Sequence, residues 1–350
     1  MDALVTGGAG FIGSHLCEHL LALGHRVTVL DDLSTGSYEN IAPLLDHPGM
    51  RFELGSILDE DALERALDGV DSVFHLAAAV GVELIVERPL EGLATNVRGS
   101  EIVLEHAHRH RARVLVTSTS EIYGKNSSDS LSEDDDRILG SPLKSRWSYS
   151  EAKAIEEILA YTYWRSKSLP TVIVRLFNTV GPRQSDRYGM VLPRFVRQAL
   201  LGAPLAVHGD GSQTRCFCYV GDVVPALVRL MEHPEAYGRV FNLGSTEEVS
   251  VDELARRVIA ATGSSSKVRY VPYDEAYEEG FEDMPRRVPD TARVRSLIGF
   301  EPSVDLDGII AHLVAHERST RPGGQAGKGP SCQQPRQGPA GSRGGSPAQA

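Results

Sequence analysis

The sequence predicts an α/β fold: a doubly wound parallel sheet of the Rossmann type, with a smaller C-terminal lobe. Three observations predict it. Short apolar runs recur along the chain, helix-length segments separate them, and a glycine-rich turn follows the first run. The runs do not alternate strictly between apolar and polar residues, which is typical of strands buried on both faces of a parallel sheet.

The elements follow in chain order from this pattern. The predicted strands lie at 3–7, 26–31, 51–55, 72–78, 113–120, 171–178 and 239–244. The predicted helices lie at 13–23, 61–68, 98–110, 149–167, 190–201, 222–233, 251–262 and 307–317. Several of these helices begin after a serine or aspartate, the residue types that accept hydrogen bonds from the first free N–H groups of a helix.

The bulk composition excludes several classes of function. The 350 residues carry a formal net charge of −11, and such a surface would repel nucleic acid. No apolar run reaches the roughly 18 residues of a membrane-spanning helix. The first strand begins almost at Met1, which leaves no room for a signal peptide. We therefore expect a cytoplasmic protein whose partners are small molecules, without nucleic acid or membrane.

Cysteine and histidine spacing predicts no metal site. The four cysteines, Cys17, Cys216, Cys218 and Cys332, include no CxxC pair and give no dense disulfide framework. His106 and His110 have a helical spacing that a metal would accept, but a solvated or interface face of the helix explains them as well.

A glycine-rich turn joins the first strand to the first helix. In "LVTGGAGFIGSHL" the glycines Gly7, Gly10 and Gly13 leave backbone N–H groups free to face a pyrophosphate at a helix N-terminus. The second strand ends at Asp31, 18 residues beyond Gly13. A carboxylate at that place accepts hydrogen bonds from a ribose 2′-OH and repels a 2′-phosphate, so NAD is predicted rather than NADP.

One helix carries a tyrosine and a lysine four positions apart. Tyr149 and Lys153 in "YSEAK" would share one helix face, and alone the pair is a common amphipathic contact. The strand 113–120 ends in "STSE", with Ser118 first and Glu121 last, at the edge where parallel sheets bind ligands. Together these segments predict a reactive site beside the dinucleotide.

The chain resembles the extended short-chain dehydrogenase/reductase family over residues 2–317. The resemblance rests on the motifs "TGGAGFIG", "FHLAA", "TSTSEIYG", "YSEAK", "RLFNTVGPR" and "HGDGSQTRCFCYVGDVV". Within that family it is similar to the NAD-dependent nucleotide-sugar epimerases, decarboxylases and dehydratases. The resemblance implies NAD as cofactor, a UDP-sugar as substrate, and a homodimer formed through the helices at 98–110 and 149–167.

The resemblance also implies roles for the catalytic residues. Tyr149 would remove a proton from a sugar hydroxyl, while Lys153 would hold the nicotinamide ribose and lower the pKa of the phenol. Thr119 and Ser120 would complete the hydrogen bonds to the hydroxyl. A tyrosine that works near pH 7 needs its pKa lowered by about 3 units, which a nearby ammonium and a positive nicotinamide ring can supply.

The reaction after oxidation at C4 depends on few groups. Glu121 is similar to a glutamate of UDP-glucuronate decarboxylases and some dehydratases, and Arg287, in "MPRRVPD", is similar to an arginine thought to assist decarboxylation. A diphosphate clamp explains Arg287 equally well. Decarboxylation of UDP-glucuronate is the leading interpretation. The alternatives are a UDP-sugar 4-epimerase, a 4,6-dehydratase and, from another class, a non-catalytic NAD-binding sensor.

The remaining site residues follow from the same resemblance. Further cofactor contacts are implied for Phe11, Ile12, Ser34, Thr35, Gly36, Ile57, Leu76, Ala77, Ala78, Asn96 and Ser118. Substrate contacts are implied for Asn178, Val191, Arg215 and Arg287. Ser56 stands where relatives often have an aspartate, so Asp31 carries more of the adenosine recognition.

The domain boundaries follow from these assignments. Residues 1–177 are predicted to form the NAD-binding domain, with a returning segment near 218–245. Residues 178–217 and 246–318 are predicted to form the nucleotide-sugar-binding lobe. Residues 319–350 contain Gly, Pro, Ser and Gln with almost nothing apolar, which predicts a disordered tail.

Overall fold

A parallel sheet organises the chain. The computed structural model describes residues 1–79, 89–144, 147–185, 190–272, 275, 284 and 286–320. Its strands are β1 (Asp2–Thr6), β2 (Arg26–Asp31), β3 (Met50–Leu54), β4 (Ser72–His75), β5 (Arg113–Thr119), β6 (Thr171–Leu176), β7 (Thr179–Val180), β8 (Leu205–His208), β9 (Thr214–Cys216), β10 (Cys218–Tyr219), β11 (Arg239–Leu243), β12 (Glu248–Ser250) and β13 (Val268–Val271). Among these residues, seven strands pair in the order β11-β6-β5-β4-β1-β2-β3.

The strand order contains the reversal that creates a ligand-binding crevice. The chain runs from β1 outward through β2 to β3, and then crosses to β4 on the other side of β1. All six pairs within this sheet are parallel. The sheet extends from β1 toward β3 on one side and from β4 toward β11 on the other. The loops that follow β1 and β4 therefore leave in opposite directions, and a crevice lies between them at the carboxyl edge. The predicted fold class is confirmed.

Helices cover both faces of the sheet. The described helices are α1 (Phe11–Ala22), α2 (Tyr38–Ile41), α3 (Glu60–Ala66), α4 (Pro89–Leu93), α5 (Ser100–His110), α6 (Ser148–Lys167), α7 (Val191–Leu200), α8 (Val220–Glu232), α9 (Val251–Thr262), α10 (Ala292–Ile298) and α11 (Leu306–Thr320). In β1, Val5 packs into a cluster with α1 and α8, whereas Leu4 packs into a cluster with α3, α5 and α6. Both faces of the strand are therefore buried, as its unbroken apolar run predicts.

A second core lies beyond the sheet. Leu192 and Phe195 of α7, Leu254 of α9 and Ile309 of α11 pack in one cluster with Val207 of β8. Two short strand pairs accompany it, β8 with β13 in parallel and β9 with β12 antiparallel. This cluster forms the lobe that faces the carboxyl edge of the sheet.

The structure differs from the sequence-based boundaries at a few places. The fourth strand ends at His75 rather than at residue 78, because the chain leaves the sheet toward the glycine turn. Val294 of α10 packs in the sheet core, although its number lies in the range predicted for the lobe. The predicted tail begins inside α11, which ends at Thr320, and residues 321–350 lie outside the described residues. Within the described part of the chain, no helix has the length and apolarity to cross a membrane.

Candidate active site

A cleft of about 770 Å³ lies between the carboxyl edge of the sheet and the lobe. It brings together most of the residues singled out from the sequence. The cofactor set lines it through Gly7, Gly10, Phe11, Ile12, Gly13, Asp31, Ser34, Thr35, Ile57, Leu76, Ala77, Ala78 and Ser118. The catalytic and substrate sets line it through Thr119, Ser120, Glu121, Tyr149, Lys153, Asn178, Val191, Arg215 and Arg287.

The glycine turn leaves a cradle in the cleft wall. Gly7 has a φ of +72°, and a Cβ on it would lie 2.8 Å from the backbone nitrogen of Ala77. A Cβ on Gly13 would collide with the Gly7 carbonyl oxygen. The turn is closed by a hydrogen bond from Gly10 N to Gly7 O at 3.1 Å. Backbone therefore forms this wall, and only glycine permits it.

Asp31 stands at the end of β2 beside the glycine turn. Its carboxylate accepts hydrogen bonds from Ala9 N at 2.9 Å and from Leu33 N at 2.8 Å. Burial raises the pKa of Asp31, and the two N–H donors oppose that rise. Each carboxylate oxygen has a second lone pair, so the group that holds the loop can also accept a hydrogen bond from a ribose hydroxyl.

One further observation indicates that the cleft can hold a dinucleotide. Ser118 is 4% exposed and lines the cleft, and within the described residues its hydroxyl has no hydrogen-bond partner. A buried hydroxyl without a partner costs free energy unless a ligand satisfies it. The glycine cradle, the Asp31 carboxylate and this hydroxyl together suit the pyrophosphate, ribose and polar groups of NAD.

Helix α6 carries Tyr149 and Lys153 into the cleft. The buried face of this helix includes Ser150, Lys153 and Glu157, an unusual set of polar side chains for a helix that packs on a sheet. Lys153 is 2% exposed, and its ammonium donates to Thr117 O at 2.9 Å and to Glu156 Oε2 at 2.7 Å. The pairing satisfies two of its three donors.

Burial and nearby charges determine the acidity of Tyr149. Burial raises the pKa of Tyr149 well above its usual value, and the charges of Glu121 and Glu156 raise it further. Glu156 opposes the effect of the Lys153 ammonium in the protein without NAD, and the role of this lysine in lowering the pKa of the phenol stays a prediction. An additional positive charge is needed to favour the phenolate.

A short helical turn at Ser120–Tyr123 holds the end of β5 beside Tyr149. The Thr119 hydroxyl accepts a hydrogen bond from Glu121 N at 3.2 Å and caps this turn. Ser150, next to Tyr149 in sequence, donates its hydroxyl hydrogen to Glu121 O at 3.0 Å. The turn and the first residues of α6 are thereby tied together, which brings a carboxylate close to the phenol.

Glu121 faces an arginine from a distant part of the chain. Arg287 Nη1 lies 3.8 Å from Glu121 Oε1, and the two side chains are 11% and 24% exposed. The adjacent Arg286 points elsewhere and pairs with Glu248 at 2.9 Å. A guanidinium in the cleft can bind a carboxylate or a phosphate of a ligand.

The lobe side of the cleft is formed by Asn178, Arg215 and α7. The Asn178 amide donates to Cys216 O at 2.9 Å, and Arg215 Nη1 donates to Thr214 O at 2.8 Å. Val191 is the first residue of α7. Arg194, one turn further along α7, also lines the cleft and was not singled out from the sequence. The sequence signal that could have identified Arg194 is its i, i+3 spacing from Val191, which places the two residues on the same face of α7.

Two predicted cofactor residues do not line the cleft. The Asn96 side chain is buried and exchanges hydrogen bonds with the backbone of Ala79, at 2.7 and 3.1 Å. It clamps the segment after β4. Gly36 lies behind the glycine turn, where a Cβ would approach Ala9 and Asp31 to 3.0 Å. Contact of either residue with the cofactor stays a prediction.

The histidines of α5 pair with carboxylates of α3. His106 Nδ1 lies 2.8 Å from Glu64 Oε2 and His110 Nε2 lies 2.8 Å from Glu64 Oε1. Hydrogen bonding from these imidazoles lowers the pKa of Glu64. Among the residues that the structure describes, no group of three or more His, Cys, Asp or Glu side chains is arranged to hold a metal ion.

The fold and the cleft define a class of protein. A doubly wound sheet with a glycine cradle at its switch point, and a Tyr-Lys helix beside that cradle, is the construction of a dinucleotide-dependent Rossmann enzyme. The family comparison is more specific. The model of the "NAD dependent epimerase/dehydratase family" matches residues 3–244, and the chain belongs to that family. The predicted family and the predicted cofactor, NAD, are confirmed.

Three similar proteins illustrate the range of the family. A UDP-N-acetyl-alpha-D-glucosaminuronate decarboxylase of Bacillus cytotoxicus is 43% identical over 86% of this chain and 92% of its own length. UDP-glucuronic acid decarboxylase 1 of Danio rerio is 37% identical over 87% of this chain and 69% of its own length. The structure of a Bacillus cereus UDP-glucuronic acid 4-epimerase with UDP-glucuronic acid and NAD has a TM-score of 0.82, with 28% identity over 91% of this chain and 99% of that one.

Proposed function

We propose that the protein is an NAD-dependent decarboxylase of UDP-hexuronates that converts UDP-glucuronate to a UDP-pentose. The observation that carries this proposal is the pair of Glu121 and Arg287, 3.8 Å apart in the cleft beside Tyr149. The similarity to two decarboxylases of UDP-hexuronates supports it. The two relatives differ in the substituent at C2 of the sugar, so the substrates to be compared are UDP-glucuronate and UDP-N-acetylglucosaminuronate.

Two sets of side chains act in the two stages of the proposed reaction, and the first set oxidises C4 together with the cofactor. NAD+, when bound, accepts hydride from C4 and returns it, and its positive ring adds the charge that favours the phenolate. Tyr149 takes the proton of the C4 hydroxyl, with Thr119 and Ser120 as hydrogen-bond partners of that hydroxyl. Lys153 fixes the position of the ribose beside the phenol.

Arg287 and Glu121 act on the second stage. A uronate with a ketone at C4 is a β-keto acid, so its C5 carboxylate leaves as CO₂ and the negative charge spreads onto the ketone oxygen. The guanidinium of Arg287 binds the carboxylate and stabilises the developing charge. Glu121 holds that guanidinium, and C5 then takes up one proton. In the same proposal, Asn178, Val191 and Arg215 hold the UDP moiety.

A 4-epimerase is the second candidate, because a 4-epimerase of UDP-glucuronic acid matches the fold closely. An epimerase retains the carboxylate and has no need for a cation that stabilises its departure. The test incubates the protein and NAD+ separately with UDP-glucuronate, UDP-N-acetylglucosaminuronate and UDP-glucose, followed by mass analysis. Loss of CO₂ from a uronate supports the proposal, while an isobaric product or loss of water contradicts it.

Glu121→Gln tests the division into two stages. The amide keeps the size of the side chain but loses the charge that holds Arg287. We expect C4 oxidation to continue and decarboxylation to slow by about 30-fold, because the ion pair that positions Arg287 is lost. Normal decarboxylation by this variant would remove the role of the pair.

The assembly and location of the protein are part of this proposal. Ile155, Ile158, Tyr161 and Trp164 of α6 are between 36% and 62% exposed and form an apolar face that a second copy of the chain would cover. We infer a homodimer, which light scattering tests. The described cysteines, Cys17, Cys216 and Cys218, are free thiols, which fits a reducing cytoplasm.

A further inference from the structure

A continuous chain of buried hydrogen bonds runs from Lys153 into the sheet. Lys153 Nζ donates to Glu156 Oε2 at 2.7 Å, and the Ser100 hydroxyl bonds to the other oxygen of Glu156. His75 Nε2 lies 2.9 Å from Ser100 Oγ, and Thr6 Oγ1 lies 2.8 Å from His75 Nδ1. Each of these five residues is 2% exposed or less. The chain ends one residue before the glycine turn.

The imidazole in the middle of the chain is neutral. Burial lowers the pKa of His75 to about 3, and the charge of Lys153 lowers it as well. A neutral imidazole donates from one nitrogen and accepts at the other. The two imidazole nitrogens therefore link the hydroxyls of Thr6 and Ser100, and the Ser100 hydroxyl has two acceptors within reach, Glu156 Oε1 and, at 2.6 Å, Asn96 O.

Glu156 is placed to act on Tyr149 through Lys153. Tyr149 lies about one helical turn before Lys153 on α6, and Glu156 lies three residues after Lys153. Burial raises the pKa of Glu156, which the ammonium of Lys153 and the Ser100 hydroxyl oppose. A carboxylate held 2.7 Å from the ammonium opposes the attraction that the ammonium exerts on a phenolate.

We propose that Glu156 is a positioning residue for the reaction of Tyr149. Its carboxylate fixes the Lys153 ammonium through the buried chain to Thr6 and offsets the ammonium charge at the phenol. This inference rests on the proposed function for the identity of the base, but not on which sugar is bound. Glu156 is fully buried and does not line the cleft, so it acts on the reaction only through Lys153.

The test must account for the other charges near the phenol. The titratable and charged groups around Tyr149, Lys153 and Glu156 are His75 from β4, Glu157 from α6, Glu121 from the turn after β5, and Arg287 opposite Glu121. Glu157 forms a separate two-point pair with Arg175, at 2.9 and 2.8 Å. That pair makes Glu157→Gln a matched control, since it changes the same chemical group one residue away.

The experiment follows the ultraviolet absorbance of tyrosinate during a pH titration of the NAD-loaded protein. Tyr149→Phe provides the spectrum to subtract. Glu156→Gln keeps hydrogen bonds to Lys153 and Ser100 but removes the negative charge, so the midpoint of Tyr149 should move to lower pH by about one unit. Glu157→Gln should leave the midpoint within about 0.3 units of the unsubstituted protein.

A midpoint that stays in place in Glu156→Gln, or moves to higher pH, overturns the proposal. If that variant does not fold, Glu156→Met removes the same charge with an unbranched side chain of similar length, and the same shift is expected. The titration needs no sugar nucleotide. A protein that turns over no uronate would therefore refute the proposed function and still allow the role of Glu156 to be measured.

Discussion

The two ends of the cleft differ in composition: backbone forms one end, and charged side chains form the other. At the dinucleotide end the wall is backbone, where Gly7 and Gly13 permit a close approach that any Cβ would block. At the sugar end the surface consists of charged side chains such as Arg215 and Arg287, which come from segments far apart in the chain. Tyr149 lies where the two ends meet. The shape of the dinucleotide end therefore depends on residues close together in sequence. The arrangement of side chains at the sugar end depends on how the lobe packs against the sheet.

The largest expected effect comes from Tyr149→Phe, which removes the group that joins the two ends. Without a base for the hydroxyl proton, kcat should fall by about 10³-fold, the usual contribution of a positioned base. The affinity for NAD should stay within about twofold, because the glycine cradle is unchanged. Steady-state turnover and NAD titration check this, and a variant that retains a tenth of the activity would exclude Tyr149 as the base.

Arg287→Gln tests the side-chain end alone. Loss of a charged hydrogen-bond donor in the cleft should lower kcat/KM for decarboxylation by about 100-fold. The neighbouring Arg286→Gln is the control, because Arg286 is exposed and pairs with Glu248 outside the cleft. We expect the control to change turnover by less than about twofold. Equal losses in both variants would show that the arginines support the fold and not the reaction.

Gly13→Ala tests the backbone end alone. The added methyl group collides with the Gly7 carbonyl and forces the turn to open, so the affinity for NAD should fall by about 30-fold. Gly24→Ala is the control: Gly24 has a φ of +80° with nothing within 4 Å of its Cβ position. It should lose about 1 kcal/mol of stability and no NAD affinity. Calorimetric titration with NAD separates the two, and unchanged binding in Gly13→Ala would contradict the cradle.

The smallest effect is expected for Asp31→Asn, which changes selectivity rather than turnover. Asp31 uses both oxygens for the N–H groups of Ala9 and Leu33, and an amide retains one acceptor of the two. The preference for NAD over NADP should fall by about tenfold, since the charge that repels a 2′-phosphate is gone. Dissociation constants for both cofactors give the ratio. An unchanged ratio would place the discrimination elsewhere.

The same contrast explains what the sequence could predict. The strands, the glycine turn and the placement of Tyr149 and Lys153 on one helix depend on residues close together in sequence, so periodicity and spacing are sufficient. The clamp that Asn96 forms with Ala79 was not predictable, because this pairing depends on the tertiary fold. A family motif indicates that a residue is important to the site, but it does not show which groups that residue contacts.

Glu156 shows the limit most clearly. In sequence it is one acid among several on a helix, with the appearance of a solvated face. Its burial beside Lys153 follows only once α6 is packed against β5 and α5. The raised pKa of Tyr149 comes first from the burial of the phenol, and Glu121 and Glu156 add to it. Charges that meet across elements are not visible in a one-dimensional pattern, and they decide the chemistry of the site.

Isotope labelling tests the central claim most directly. UDP-glucuronate and UDP-N-acetylglucosaminuronate carrying ¹³C in the carboxyl group are incubated with the protein and NAD+ in D₂O. The account predicts that, with one or both, the label appears as CO₂ and bicarbonate, and that the sugar product carries one deuterium at C5. Label that remains on the sugar with both substrates, with inversion at C4 or with no change, would contradict it.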